Sequence, residues 1–370
     1  MKTIVLTGGG TAGHVTPHFA ILKDLEKHFN KIYYIGSEFG IEKELVLNKG
    51  LQYYSFNPVK LVRSFTFKNT LLPFKFIKSV NDASKILKKL KPNVVFSKGG
   101  YVALPVVIAA HRLNIPVITH ESDLSLGLSN KIASRFTVNV LTTFKKTAAS
   151  VKNGLYVGAP VREELFNNNK EQCYKNFGFF NSLPVLLIIG GSSGAKSLND
   201  VFYKAFNQII KKFNVIHIVG KGNLNNLSHP NYRQIEYADM AYVYPIVDVC
   251  VSRAGSNTAF ELFALKIPTL FMPLPKGNSR GDQIENANYF SKLKIASVLF
   301  MEDATPDTFL KKVMHVYENS NYYIQNIKKQ NIEVGNKNIA KILCKYWHVL
   351  GKSVLYFYNT YKGELWKIKF

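Results

Sequence analysis

The densest chemistry lies between Asp248 and Pro275, in DVCVSRAGSNTAFELFALKIPTLFMPLP. The apolar run 249–251 predicts a buried parallel strand. It ends in Ser252-Arg253-Ala254-Gly255-Ser256, mostly small residues that let a backbone turn tightly. Ala259, Leu262 and Phe263 then share one face at helical spacing, with the Lys266 stem at its far end. Ser256 or Asn257 can cap that helix, which turns free N–H groups and a positive dipole end toward an anion. Glu261 falls about one turn in, within reach of a ribose diol. Ile267-Pro268 closes the helix, and 269–272 reads as the next strand. Strand, glycine turn, helix and strand form a nucleotide diphosphate site at the carboxyl edge of an α/β sheet. The same stretch also fits a plain βαβ unit whose Gly255 only eases packing.

Three other strand ends carry similar groups. Residues 3–7 form a strand followed at once by Gly8-Gly9-Gly10-Thr11-Ala12-Gly13-His14, and Pro17, Phe19, Ala20, Leu22 and Leu25 open a helix. The spacing is not that of a dinucleotide-binding G-x-G-x-x-G. His14 is a titratable side chain at the mouth of this turn. A loop histidine is more often a surface residue than a base, but its place beside the glycines favours function. Strand 94–97 leads into Lys98-Gly99-Gly100-Tyr101 and an apolar helix through Ala110. Strand 116–119 ends in His120-Glu121-Ser122-Asp123, with Asn130 on the next helix; polar groups past such strand ends line a cleft.

The elements that position these groups repeat in the second half. Residues 185–189 form a strand, then come Gly190-Gly191-Ser192-Ser193-Gly194 and a helix over 196–213 with an apolar stripe from Leu198 to Phe213. Each half therefore opens alike. Gly158-Ala159-Pro160-Val161-Arg162 reads as the turn between them. Residues 281–288 start another helix, and 305–318 and 336–350 read as the last two.

The chain has 370 residues, enough for two domains, and 46% hydrophobic content describes an ordinary core. No apolar run approaches a membrane span, and the first residues carry no signal-peptide pattern. Cys173, Cys250 and Cys344 are scattered and lack metal spacing, which suits a reducing cytosol. The formal charge is +24, from 48 Lys+Arg against 24 Asp+Glu. Such an excess points to nucleic acid, acidic lipid or phosphorylated substrates, unless it is a compositional habit. Much of it falls between Lys60 and Lys91, threaded by Phe65, Phe67, Leu71, Leu72, Phe74 and Phe76. From Ile77 a helical face of Ile77, Val80, Ser84, Leu87 and Leu90 reads as core.

Taken together, GGGTAGHVTP at 8–17, SKGGYVALP at 97–105, HESD at 120–123, GAPVR at 158–162, GGSSGAKSLN at 190–199, SRAGSNTAFE at 252–261 and RGDQIENA at 280–287 resemble one family, in its order. It is the MurG family of inverting glycosyltransferases, which add N-acetylglucosamine to the undecaprenyl-pyrophosphoryl-muramyl-pentapeptide precursor. The resemblance implies an α/β fold of two Rossmann-like domains facing across a cleft, the GT-B arrangement. It implies an acceptor- and membrane-binding domain over 1–162 and a UDP-sugar domain over 163–335. Residues 336–350 would form a helix returning to the first domain, and the tail 351–370 has no assigned role.

On the donor side, Glu261 would hold the ribose hydroxyls, and Ala254, Gly255 and Ser256 the diphosphate with Ser192 and Ser193 nearby. Asp282 and Gln283 match a pair that contacts the transferred sugar, and Arg162 a donor-side arginine. Thr11 and Gly13 join the donor contacts. Gly9, Gly10, Thr11, Asp123, Asn130 and Asn199 match acceptor positions, and the first glycine loop suits the lipid pyrophosphate. Many relatives carry Asn at position 123, and some Gln at position 282. His14 would take the proton from the acceptor C4 hydroxyl, with Glu121 the second candidate base. A helix dipole and N–H groups can hold the leaving diphosphate without a metal, so neither metal nor obligatory cofactor is expected.

The expected partners are UDP-N-acetylglucosamine, the lipid-linked muramyl-pentapeptide and anionic inner-leaflet lipids, with no nucleic acid. Phe65, Phe67, Leu72, Phe74 and Phe76 are the expected membrane anchors, placing the protein peripherally on the cytoplasmic face of the cell membrane. The alternatives are a glycolipid synthase of the same architecture, a UDP-sugar epimerase, which should show more cleft carboxylates, and a non-catalytic UDP-sugar-binding protein. A nicotinamide dehydrogenase is disfavoured by the loop spacing, and nucleic-acid binding by the lack of recognition motifs.

Overall fold

The computed structural model describes residues 2–59, 72–167, 169–179, 181–191, 195–275 and 280–346. Ser192, Ser193, Phe65, Phe67 and the tail 351–370 lie outside the described residues. The chain forms two α/β units, one running to Pro160 and resuming at Val334, the other spanning Val161–Glu333.

The first unit holds β1 (Thr3–Thr7), β2 (Lys31–Ser37), β3 (Gln52–Phe56), β4 (Val94–Ser97), β5 (Val117–Glu121), β6 (Asn139–Thr142) and β7 (Gly154–Tyr156). They pair in parallel in the order β3-β2-β1-β4-β5-β6-β7. Strands buried on both faces need apolar residues at successive positions. Ile4 and Leu6 accordingly join one core with Val15, Ile21 and Leu25, while Val5 joins the other with Val80, Leu87 and Val106. The helix Asn336–Lys345 belongs to this unit, where Ile339, Ala340 and Leu343 complete the first of those cores.

The second unit holds β8 (Val185–Ile189), β9 (Asn214–Ile218), β10 (Tyr232–Ile235), β11 (Val249–Ser252), β12 (Thr269–Phe271) and β13 (Ser297–Val298). The order is β10-β9-β8-β11-β12-β13, again all parallel. The stripe Leu198, Val201, Phe202, Ala205, Phe206 and Ile209 of the helix Lys196–Ile209 packs on Leu186, Ile188 and Val215. In both units the strand order reverses beside the first strand, at β1/β4 and β8/β11. A doubly wound sheet opens its ligand crevice at that switch point.

The helix Leu72–Leu90 corrects two expectations, Ile77 as core and Phe76 as a membrane anchor, because Phe76 packs against the core. Its buried stripe is Val80, Ala83 and Leu87, with Phe76 and Leu90 packed beside them. Ile77 is off this stripe and 50% exposed, next to Phe74 at 71%. The reason is phase: a face through Phe76 and Val80 turns Ile77 some 100° away.

Candidate active site

At the β1/β4 switch of the first unit, two glycine turns press on one another. Gly99 and Gly100 both have φ near +80°, which L side chains avoid. A Cβ on Gly100 would collide with the Gly9 carbonyl and stand 3.2 Å from His14 Nδ1. His14 ends the short 3-10 turn Ala12–His14, and its Nδ1 lies 3.0 Å from Thr11 Oγ1. Thr11 and Gly13 are exposed and His14 half-buried.

Below this surface lies a buried polar layer, and the sequence motifs contain its Lys98, His120 and Ser122 without joining them. Lys98 Nζ donates to His120 Nδ1 and, at 2.7 Å, to Ser122 Oγ. Burial pushes the Lys98 ammonium down to about 7, opposed by Glu121 and Asp123. His120 is held well below its ordinary value by burial and then by Lys98. His18 is lowered to about 3 by the same causes, and its ring sits edge-on to Tyr34 and Phe96. A charged residue directly after an apolar strand, as in Val94–Ser97 then Lys98, was the available signal.

His120 and Glu121 are the last residues of β5, not residues of a loop beyond it. Glu121 is buried and accepts from the Asp123 amide at 3.1 Å, the Gly127 amide at 2.9 Å and Asn130 Nδ2 at 3.0 Å. These bonds hold the turn into the helix Leu128–Ala133, and they favour a structural duty over proton transfer. Asn130 also donates to the His120 carbonyl at 3.1 Å, while its Oδ1 is buried with no partner among the described residues.

In the second unit, β11 runs into the turn Arg253–Gly255 and the helix Ser256–Ala264. The N-cap is Gly255, so the cap position falls one residue before Ser256 and two before Asn257, the residues expected to hold it. The Ala254 carbonyl accepts from the fully buried Asn286 at 3.1 Å, which ties the turn to the helix Asp282–Lys292. Arg253 is buried under the turn, with Nη1 on the Met272 carbonyl and Nη2 on Ser197 Oγ, both at 2.7 Å. Its Nε finds no partner among the described residues, and burial lowers the guanidinium to about 10. Arg253 and Asn286 were legible only as a charged and an amide residue inside otherwise apolar or helical runs.

The structure joins Glu261 and Arg162. Arg162 Nε donates to Glu261 Oε1 at 2.8 Å and Nη2 to Oε2 at 3.1 Å, with Tyr244 OH 3.3 Å from Oε2. Burial works against the Arg162 charge, but the Glu261 carboxylate outweighs it and holds Arg162 above its ordinary value. Asp282 is 3.5 Å from Arg280, and Gln283 Oε1 accepts from the Leu274 amide at 3.0 Å. That bond leaves the Gln283 NH2 as its group for meeting a hydroxyl.

Asn199 is another of the expected acceptor contacts. It lies in the second unit, buried, with Nδ2 on the Val219 carbonyl at 3.3 Å and Oδ1 3.0 Å from His217 Nε2. Both ends of its amide enter an internal network, with one N–H left over. Among the described residues no group of three His, Cys, Asp or Glu side chains is placed to hold a metal ion.

Two family models cover most of the chain. The glycosyltransferase family 28 N-terminal domain matches residues 4–142, and the C-terminal domain of the same family matches 185–343. The chain is 46% identical over 352 residues to the UDP-N-acetylglucosamine--N-acetylmuramyl-(pentapeptide) pyrophosphoryl-undecaprenol N-acetylglucosamine transferase of Clostridium botulinum, covering 94% of this chain and 99% of the relative. The protein of the same name from Clostridium tetani is 43% identical, covering 94% and 98%. Among solved structures, MurG of Acinetobacter baumannii superposes with a TM-score of 0.71 at 24% identity, covering 93% and 100%. The UDP-GlcNAc 2-epimerase of Neisseria meningitidis bound to UDP-GlcNAc gives 0.63 at 16%, covering 94% and 99%. At these identities the structural likeness speaks for the fold alone, a GT-B pair of parallel-sheet domains.

Proposed function

The chain belongs to glycosyltransferase family 28, and on that premise we propose that it catalyses the reaction its relatives are named for. It moves N-acetylglucosamine, with inversion, from UDP-N-acetylglucosamine to the C4 hydroxyl of undecaprenyl-pyrophosphoryl-N-acetylmuramyl-pentapeptide in peptidoglycan synthesis. The observation that carries this conclusion is the 46% identity along 94% of the chain and 99% of the relative.

A single displacement needs a base at the acceptor hydroxyl and a stabilised leaving group. In this reading UDP sits at the β8/β11 switch. Glu261 receives the ribose hydroxyls on a carboxylate that Arg162 and Tyr244 already orient. The diphosphate meets the Ala254–Ser256 turn at the amino end of the helix Ser256–Ala264, where N–H groups and dipole oppose the charge that develops on departure. The buried Arg253 cation adds to that field. Asp282 and Gln283 meet the sugar. On the acceptor side Gly9, Gly10, Thr11, Asp123 and Asn130 surround the pyrophosphate-sugar, and His14 takes the proton. A base acting through Nε2 needs its own hydrogen on Nδ1, and Thr11 Oγ1 is placed to accept it.

No helix among the described residues is long and apolar enough to cross a membrane, whereas the acceptor is lipid-linked. The exposed Phe74 and Ile77 beside Lys75 and Lys78 supply apolar anchors and cations for anionic inner-leaflet lipid, which would make the enzyme peripheral on the cytoplasmic face.

The test is incubation with labelled UDP-N-acetylglucosamine and a short-chain lipid acceptor. Label should pass into the lipid, and His14→Ala should lower turnover by about 10² to 10⁴-fold. Hydrolysis or epimerisation of the donor without a lipid product would reject the assignment. A His14→Ala enzyme with near-normal turnover would move the base elsewhere.

A further inference from the structure

Glu42 is fully buried at the start of the helix Ile41–Leu47, and its two carboxylate oxygens have separate duties. Oε1 accepts from the Ser37 amide at 3.1 Å and from the Ser37 hydroxyl, at the end of β2. Oε2 accepts from the Gly10 amide at 3.2 Å, in the loop that carries Thr11 and His14. Neighbouring glycines make room for this group. A Cβ on Gly9 would stand 2.6 Å from Glu42 Cδ, and one on Gly40 would strike Oε1. Glycine at position 9 is thus demanded by an internal acid. The Gly10 amide is likewise given to a protein carboxylate, so the grip on this turn does not wait for a bound anion.

Other groups brace the same turn. Tyr34 OH donates to the Gly8 carbonyl at 2.9 Å, and a Cβ on Gly10 would stand 2.8 Å from the Tyr101 ring. Burial raises the phenols of Tyr34 and Tyr101, and the Glu42 charge raises them further. A carboxylate taken out of water must be met by donors, so removing its charge or one oxygen loosens what it holds.

We propose that Glu42 is a positioning residue for the transfer: Oε2 fixes the Gly10 amide, and through it the turn from Thr11 to His14, so that the His14 ring meets the acceptor hydroxyl in one orientation. The inference rests on the reading of His14 as the base.

Glu42→Gln replaces one acceptor oxygen by a donor nitrogen, leaving the Gly10 or the Ser37 amide without a partner. With UDP-N-acetylglucosamine and the short-chain lipid acceptor, kcat should fall by about tenfold to a hundredfold. KM for the donor should change less than kcat, because Glu261, Asp282 and Gln283 of the donor site lie in the other unit, with only Thr11 and Gly13 on this turn. Ser37→Ala removes only a hydroxyl on the Oε1 side and should keep kcat within about twofold even where it lowers Tm. Unchanged kcat in a Glu42→Gln variant whose Gly10 amide has lost its protection from hydrogen exchange, or equal kcat losses in both variants that follow their Tm, would overturn the proposal. Should Glu42→Gln fail to fold, the wild-type amide carries the test. Gly10 N–H should resonate downfield and resist hydrogen exchange, and exchange as fast as an exposed loop amide would overturn the contact. A wild-type protein that makes no glycosylated lipid would refute the functional reading, while the amide measurement would still decide whether Glu42 holds the loop.

Discussion

Glu261 serves two partners in the proposed site, Arg162 within the protein and a ribose from the donor, and this makes its removal informative. Glu261→Ala should weaken UDP and UDP-N-acetylglucosamine alike, since both carry the ribose. The loss of a charge-assisted hydrogen bond is about 1.5–3 kcal/mol, or roughly ten- to a hundredfold in Kd. Asp282→Ala and Gln283→Ala should weaken only the sugar nucleotide. Calorimetric titration separates the two patterns, and equal losses for both ligands in all three variants would contradict the division of labour. His18 makes a different point, because it is buried with neither ring nitrogen bonded among the described residues. Its folded value of about 3 lies below the ordinary 6.5, so the unfolded chain binds the extra proton between those limits. Stability is therefore full above pH 6.5 and declines as the pH falls toward 3, by about 2 kcal/mol at pH 5 from this group alone. His18→Phe keeps a ring against Tyr34 and Phe96 but cannot titrate. Its stability relative to the wild type should be higher at pH 5 than at pH 8 by about that amount, measured by urea unfolding. An identical difference at the two pH values would show that His18 does not titrate this way.

Among the elements, the helix Leu72–Leu90 has the most to lose at its exposed end. Phe74→Ser with Ile77→Ser should release the protein from acidic vesicles in co-sedimentation, with Tm nearly unchanged because neither side chain is core. A large fall in Tm, or binding that persists, would place the docking surface elsewhere. The remaining attraction should fade with salt, each basic residue near the surface contributing about 1 kcal/mol at low ionic strength. How legible each element was follows from its burial. β1, β4, β8 and β11 are central, apolar at successive positions, and stood out in the sequence. β3 and β7 are edge strands with exposed or half-buried residues, such as Gln52 and Gly154, and carry no such run. β10, another edge, spans Tyr232–Ile235 and is half-buried along most of its length. The candidate site divided in the same way. Glycine turns and strand ends showed themselves, whereas Glu42 did not, and Lys98, Arg253 and Asn286 stood inside the motifs without a role of their own. A lone polar residue inside a helix has no local pattern that betrays its burial, and one directly after an apolar strand has only its position.

At the scale of the whole molecule, the first unit is discontinuous: the chain leaves it at Pro160 and re-enters at Val334. Both crossings are fastened inside it, by the Ala159–Val334 bridge and by the Gly335 amide on the Ala159 carbonyl at 2.6 Å. The strand Thr3–Thr7 is made first, yet the apolar face it shares is closed by Ile339, Ala340 and Leu343. On the ribosome, then, the early half of the protein must wait with that face uncovered while residues 161–333 are added, roughly 10 to 35 s at ~5–20 residues per second. The intervening unit is contiguous and can finish before the one that precedes it. Nascent chains arrested after Glu333 should therefore bind a holdase chaperone through the early half, and chains released past residue 346 should not; equal capture of both would remove this delay. For such a protein, the order of synthesis and the order of completion run in opposite directions.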